Sequence, residues 1–222
     1  MDNKYITEWN KNASEWNAII ECNGITSRNN TNPAIIKVVN RWGVSPMLDC
    51  GSGEGWLIRE IAGNRVDIHG LEGSKELVDI ARSKSNHCFY HYSYQEMIDG
   101  ISELSNGYST LIFNYALFEK DITPLLLSCH TYLKTPGRII IQTVHPYFLL
   151  KNGKYASGTQ DNIWDGLNGN FEGHLSWYAR TLEDWAMVFY EARFTMCAIN
   201  ECIVDGAPVS ILFTLESMKS RD

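Results

Sequence analysis

The segment Met47-Leu48-Asp49-Cys50-Gly51-Ser52-Gly53-Glu54-Gly55 constrains this chain most. A short apolar run ends in an acid, three glycines follow at alternate positions, and a helical pattern begins. That order reads as a buried strand, a tight turn and a helix N-terminus. Glycine suits places where the backbone takes positive φ or approaches a ligand with no Cβ in the way. A carboxylate just before the turn suits a cationic amine or a hydroxyl. The dinucleotide fingerprint G-x-G-x-x-G needs its third glycine one residue later, and Trp56 stands there instead.

The rest of the chain has the pattern such a turn requires. With 222 residues it can bury the core of one α/β domain. Short apolar runs alternate with helical patterns from residue 46 onward. Strands are expected at 47–50, 66–71, 87–92, 109–114 and 138–144. Helices are expected at 54–62, 74–84 and 123–133, with a short turn near Glu96. Runs such as Ile139-Ile140-Ile141 fit parallel strands covered on both faces. Alternation of this kind predicts a doubly wound sheet. Thr181-Leu182-Glu183-Asp184 resembles a capping box opening a helix to about residue 192. Strands near 194–204 and 209–216 then flank Asp205-Gly206, a hairpin signal. A parallel sheet ending in an antiparallel hairpin departs from the symmetric dinucleotide fold. The first 42 residues read as a helical cap, with a loop over 23–31 and Asn32-Pro33 as N-cap and first helical position.

Composition narrows the partners. A net charge of -7 argues against a nucleic-acid backbone as the main partner. No apolar run reaches the roughly 18 residues of a membrane span. The six cysteines are scattered, with no C-x-x-C pair, and read as small core residues in a reducing compartment. A cytoplasmic location is the expectation. No ligand-spaced histidine cluster points to a metal.

The order D-x-G-x-G-x-G over Asp49–Gly55, with Glu72 ending the next strand 21 residues after Gly51, resembles motifs I and II of class I S-adenosylmethionine-dependent methyltransferases. The terminal hairpin is similar to the end of their seven-stranded Rossmann-like sheet, whose last strand inserts antiparallel. The segments Gln142-Thr143-Val144-His145-Pro146 and 177–185 also look like those of small bacterial methyltransferases of unassigned substrate. The resemblance covers nearly the whole chain, as one domain, and implies methyl transfer from S-adenosylmethionine to a small-molecule nucleophile. It implies that Asp49, Gly51, Ser52, Gly53 and Gly55 pack against the methionine moiety and ribose. It makes Glu72 the ribose ligand, with Gly73 and Ser74 along the adenine edge. Ser93 and Tyr94 stand where relatives place an acid for the adenine amino group; Tyr94 equally fits a packed aromatic. Asn114 and Tyr115 would pass under the transferable methyl group. Trp9 and Arg28, with Tyr5, would close over the cofactor, although an aromatic stripe also fits plain core.

Residues 145–185 carry eight aromatics in 41 positions, against 12% aromatics for the whole chain. A long aromatic-rich connection, here 145–180, reads as a substrate lid. Tyr147, Trp164, Trp177 and Arg180 are the candidate substrate contacts, Arg180 through its fork for a carboxylate. His145, at a strand end, is a candidate general base beside Tyr178; a structural histidine before Pro146 fits the same position. Two other functions remain open on sequence: a non-catalytic cofactor-binding module and a nicotinamide-dependent oxidoreductase. Oligomeric state is not legible.

Overall fold

The structure is a computed structural model that describes residues 3–63, 66–151 and 153–218. Its centre is a seven-stranded sheet. The strands are β1 (Met47–Cys50), β2 (Ile68–Glu72), β3 (Phe89–His91), β4 (Tyr108–Asn114), β5 (Leu133–Val144), β8 (Phe194–Val204) and β9 (Ala207–Ser217). They lie in the order β3-β2-β1-β4-β5-β9-β8. The pairs from β3 through β5 are parallel, and β9 enters antiparallel beside β5. The sheet order reverses direction between β1 and β4, and α/β folds bind ligands at that switch.

Side-chain alternation divides the core in two. Ile139 and Ile141 face one side with Leu48, Phe113 and Phe213. Ile140 faces the other with Met47, Ile112 and Leu212. Helices α5 (Tyr94–Asp99), α6 (Thr123–Tyr132) and α8 (Leu182–Glu191) cover the first face through Met97, Leu126 and Phe189. Helices α2 (Arg28–Trp42), α3 (Trp56–Ile61) and α4 (Lys75–Lys84) cover the second through Ile35, Leu57 and Val78. Each fully buried Leu, Ile or Phe contributes roughly 1.5–3 kcal/mol. Caps set the helix starts. Ser74 accepts from the Leu77 amide, Ser93 closes a capping box with Glu96, and Thr181 accepts from the Asp184 amide.

Three elements differ from the sequence reading. Helix α2 begins at Arg28, so Pro33 lies inside it and Asn32 is no cap. Tight turns through Ile25–Asn30 lead straight into that helix, and only the one amide bond that Pro33 cannot donate is lost. Strand β5 starts at Leu133, because Leu133 already pairs with Tyr108 before a register shift. The 145–180 segment is more regular than expected. It holds α7 (Phe148–Lys151) and a two-stranded ribbon of β6 (Gly158–Asn162) and β7 (Ser176–Ala179). These strands are four and five residues long, too short for alternation to stand out.

Helix α1 (Asn3–Glu21) is tied to this segment by polar side chains. Asn12 bonds both backbone groups of Glu172, donating at 3.0 Å and accepting at 2.7 Å. Tyr5 donates to the Ser176 carbonyl, and Glu15 accepts from the Asn170 amide.

Gly70, in β2, is a packing requirement. A Cβ there would lie 2.5 Å from Phe89, 2.7 Å from Ser52 and 2.9 Å from Ile58. Gly70→Ala is expected to destabilise the fold by about 1–3 kcal/mol, as overpacked cores do. Chemical denaturation measures this, and an unchanged midpoint would contradict the packing.

Candidate functional site

One cavity of about 420 Å³ opens at the carboxyl ends of β1, β2 and β4. Its size falls in the small-molecule range, roughly 300–1,000 Å³. Asp49, Gly51, Ser52, Gly53, Glu72, Gly73, Ser93, Tyr94, Asn114 and Tyr115 all line it. So do Trp9, Arg28 and Trp164. These residues come from seven separate stretches of chain: four lie at or just after the ends of the strands β1 to β4, two lie on α1 and α2, and Trp164 follows β6.

Glu72 organises the floor. One carboxylate oxygen accepts from the Gly53 amide at 2.9 Å and the other from the Ser74 amide at 2.8 Å. Each oxygen keeps a further lone pair. Loss of solvent raises the Glu72 pKa, against these backbone donors, which lower it. Gly53 has φ +55°, and a Cβ there would meet nothing closer than Trp16 at 3.9 Å. Its backbone therefore presents a bare edge to the cavity. Gly55 has a different task. It takes φ +80° as the N-cap of α3, where a Cβ would lie 2.7 Å from Phe89. Gly55 and Ser74 do not line the cavity; both are helix caps that shape its floor.

Asp49 is 2% exposed, and its Oδ1 has no hydrogen-bond partner. Burial, then the charges of Glu72 and Glu54, push its pKa up to about 8. Glu54, which sequence reasoning passed over, is fully buried and paired with Arg59 at 2.7 Å. Arg28 is half-buried, its guanidinium 4.6 Å from the Trp56 ring centre, and burial lowers its pKa. Tyr115 holds φ +52°, a strained backbone for a bulky residue, and burial pushes its phenol up to about 12. Tyr94 donates to the Cys50 carbonyl at 3.0 Å and so packs under the glycine turn.

The candidate base and most candidate substrate contacts lie elsewhere. His145 follows β5, but its ring pairs with Glu201 of β8 at 2.8 Å and accepts the Tyr147 amide. His145, Trp177, Tyr178 and Arg180 surround a separate crevice of about 10 Å³, too small for a substrate. Tyr147 lines neither space and is 39% exposed. Arg180 is 3% exposed and donates to the carbonyls of Glu119 and Lys120. Both bonds come from Nη2, while Nη1 is buried without a hydrogen-bond partner, and the guanidinium lies over the rings of Tyr178 and Trp185. The Tyr178 amide meanwhile donates to the Phe118 carbonyl at 2.8 Å. Together these bonds hold the turn after β4, which carries Phe118 and Glu119 into the cavity wall. Phe118, Ile163 and Leu167 also line the cavity, and no sequence spacing marks them.

No protein-family model matches the chain, and no curated protein matches it. Solved structures do. Magnesium protoporphyrin IX methyltransferase (ChlM) from Synechocystis, with bound S-adenosylhomocysteine, is similar over 97% of this chain and 100% of its own. Its TM-score is 0.66 at 14% identity. The CcbJ methyltransferase from Streptomyces caelestis matches 78% of this chain and 84% of its own, with a TM-score of 0.59 at 13% identity. An S-adenosylmethionine-dependent methyltransferase from Mesorhizobium loti matches 77% and 90%, with a TM-score of 0.57 at 15% identity. This chain therefore has the Rossmann-like fold of S-adenosylmethionine-dependent methyltransferases.

The buried acid has a consequence for stability. The folded chain holds the Asp49 proton up to about pH 8, whereas the ordinary value is 3.8. The unfolded chain binds fewer protons between these values, so stability falls as pH rises through them. Asp49→Asn removes that dependence. The variant's stability relative to the native chain, without ligand, is expected to rise across about pH 4–8, by up to roughly 1.4 kcal/mol per pH unit. Thermal denaturation of both proteins across that range measures it. A difference that does not vary with pH would contradict the placement of Asp49.

Proposed function

We propose that this chain is an enzyme that transfers a methyl group from S-adenosylmethionine to a small molecule, with this cavity as its site. The observation that carries the reading is the pair of acids, Asp49 and Glu72, facing a bare glycine turn at the switch in strand order. The residues fit the cofactor group by group. Glu72 has spare lone pairs for the two ribose hydroxyls. Asp49, buried with an unpartnered oxygen and no counter-charge, suits the ammonium group. Arg28, the one cation among the described lining residues, suits the carboxylate. Gly73, Ser93 and Tyr94 flank the region left for adenine. Asn114 Oδ1 is buried without a partner and suits the polarised methyl and its sulfonium.

The cofactor supplies a methyl group that is already activated for in-line displacement. The protein's part is then alignment and exclusion of water. Holding reactants in line is worth roughly 7–11 kcal/mol. Helix α1 and the β6–β7 ribbon form the outer wall and are bonded to each other, so we treat both as parts of one catalytic domain. A nicotinamide-dependent reaction is disfavoured by the antiparallel β8–β9 hairpin, which the symmetric dinucleotide fold lacks. A nucleic-acid substrate is disfavoured by the net charge of -7. Six free thiols suit a cytoplasmic location.

Calorimetric titration with S-adenosylhomocysteine, with NAD in parallel, tests the cofactor. Saturable binding of S-adenosylhomocysteine alone is expected. Glu72→Ala should weaken it at least tenfold, given about 1.5 kcal/mol or more per hydrogen bond to a charged group. His145→Ala should leave it unchanged. Binding of NAD alone, or an unaffected Glu72→Ala, would contradict the reading.

A further inference from the structure

Arg28 is the cation offered to the cofactor carboxylate, and few contacts aim it. It forms no ion pair among the described residues. Its guanidinium lies 4.6 Å from the ring centre of Trp56, the first residue of α3. Its other anchor is its own helix, because Arg28 is the first residue of α2. The placement of that first turn therefore sets where the guanidinium points. A binding group works well when its supports hold it within about 0.5 Å of its place.

A buried polar cluster holds that turn. Gln142 stands two residues beyond Ile140 on β5, so both face the side that α2 covers. Gln142 is 1% exposed. Its Nε2 carries two hydrogens and uses both. One goes to the Thr31 carbonyl at 3.0 Å and the other to the Ser210 hydroxyl oxygen at 2.9 Å. Thr31 lies three residues after Arg28, about one turn along α2 and on the same face. It lines the cavity, as Arg28 does. Ser210, on β9, is fully buried. Tyr115 closes the cluster from the end of β4. Its amide donates to the Gln142 carbonyl at 2.8 Å, and its phenol comes within hydrogen-bond reach of Ser210 and Thr31.

Packing alone does not require these groups. Gln142 Oε1 is buried with no partner, a costly state that a leucine would avoid. Ile140 and Leu212, its neighbours on this face, are apolar. What the amide adds is its bond to α2. Resting on the methyl-transfer reading above, we infer that Gln142 and Ser210 are positioning residues, which brace the first turn of α2 through Thr31 so that Arg28 meets the carboxylate of the methionine moiety. Neither is among the described lining residues, so their effect on a ligand runs through α2. The adenosine end rests on Glu72 and the glycine turn, outside this cluster.

Two ligands separate the two ends. S-adenosylhomocysteine has both, and 5′-methylthioadenosine keeps the adenosine and thioether but lacks the amino-acid end. Each is titrated calorimetrically into the full-length chain and its variants. Arg28→Met should weaken S-adenosylhomocysteine about tenfold or more, as loss of a hydrogen bond to a charged group does. Gln142→Leu and Ser210→Ala should each weaken it about threefold or more. All three variants should bind 5′-methylthioadenosine within about twofold of the native chain, which also shows that they fold. Adding Gln142→Leu to Arg28→Met should cost little more than Arg28→Met alone, because residues that act through one another are not additive. Equal weakening of both ligands by Gln142→Leu, native affinity for S-adenosylhomocysteine in Gln142→Leu or Arg28→Met, or full additivity in the double variant would overturn the inference. Should Gln142→Leu fail to fold, Ser210→Ala, which removes one hydroxyl, decides by the same comparison. Failure of the native chain to bind S-adenosylhomocysteine would instead overturn the cofactor assignment, and this inference with it.

Discussion

One carboxylate ties the candidate site together. Glu72 bonds the Gly53 amide across the glycine turn and the Ser74 amide at the start of α4. The loops after β1 and β2 are thereby fixed to each other at the point where the strand order reverses. Phe89 wedges beneath them, close enough that neither Gly55 nor Gly70 has room for a side chain. The turn cannot shift without disturbing the core under α3. A rigid floor of this kind comes from the sheet, while the outer wall comes from α1 and the β6–β7 ribbon.

That floor works against the fold's stability. Asp49, Glu54 and Glu72 crowd one buried region, and the charges of Glu72 and Glu54 add to burial in raising the Asp49 pKa. Only Glu54 has a cationic partner, Arg59. A fold built for stability alone would place an amide or a hydroxyl at Asp49. Asp49, at 2% exposure with its Oδ1 unpartnered, is the kind of perturbed buried acid that clusters at functional sites, which is why we assign it to the cofactor. The strained Tyr115 backbone, at the end of β4, belongs to the same pattern.

Much of the fold was legible because its signals are local. The run Ile139-Ile140-Ile141 could be buried on both faces only inside a sheet, and it is. Ser74 and Thr181 announced their helices through side chains that bond three residues ahead. The floor of the cavity was legible for the same reason: a strand end and its following turn are neighbours in sequence. The outer wall was not. His145 does sit at a strand end, but its direction depends on Glu201, 56 residues away on an edge strand. Arg180 and Tyr178 have the right types for a pocket, yet their bonds go to the turn at Phe118–Lys120. Phe118 and Ile163 line the cavity only because α1 and the ribbon fold over the sheet edge, and no short motif encodes that.

The central claim is that Glu72 and Asp49 hold one nucleoside-bearing cofactor at the carboxyl edge of β1 and β2. A crystal structure of the chain grown with S-adenosylhomocysteine tests it most directly. The account predicts both ribose hydroxyls within hydrogen-bond distance of the Glu72 carboxylate, with the amino-acid end between Asp49 and Arg28. Density for the ligand at any other place on the molecule, or in this cavity with the ribose turned away from Glu72, would contradict it.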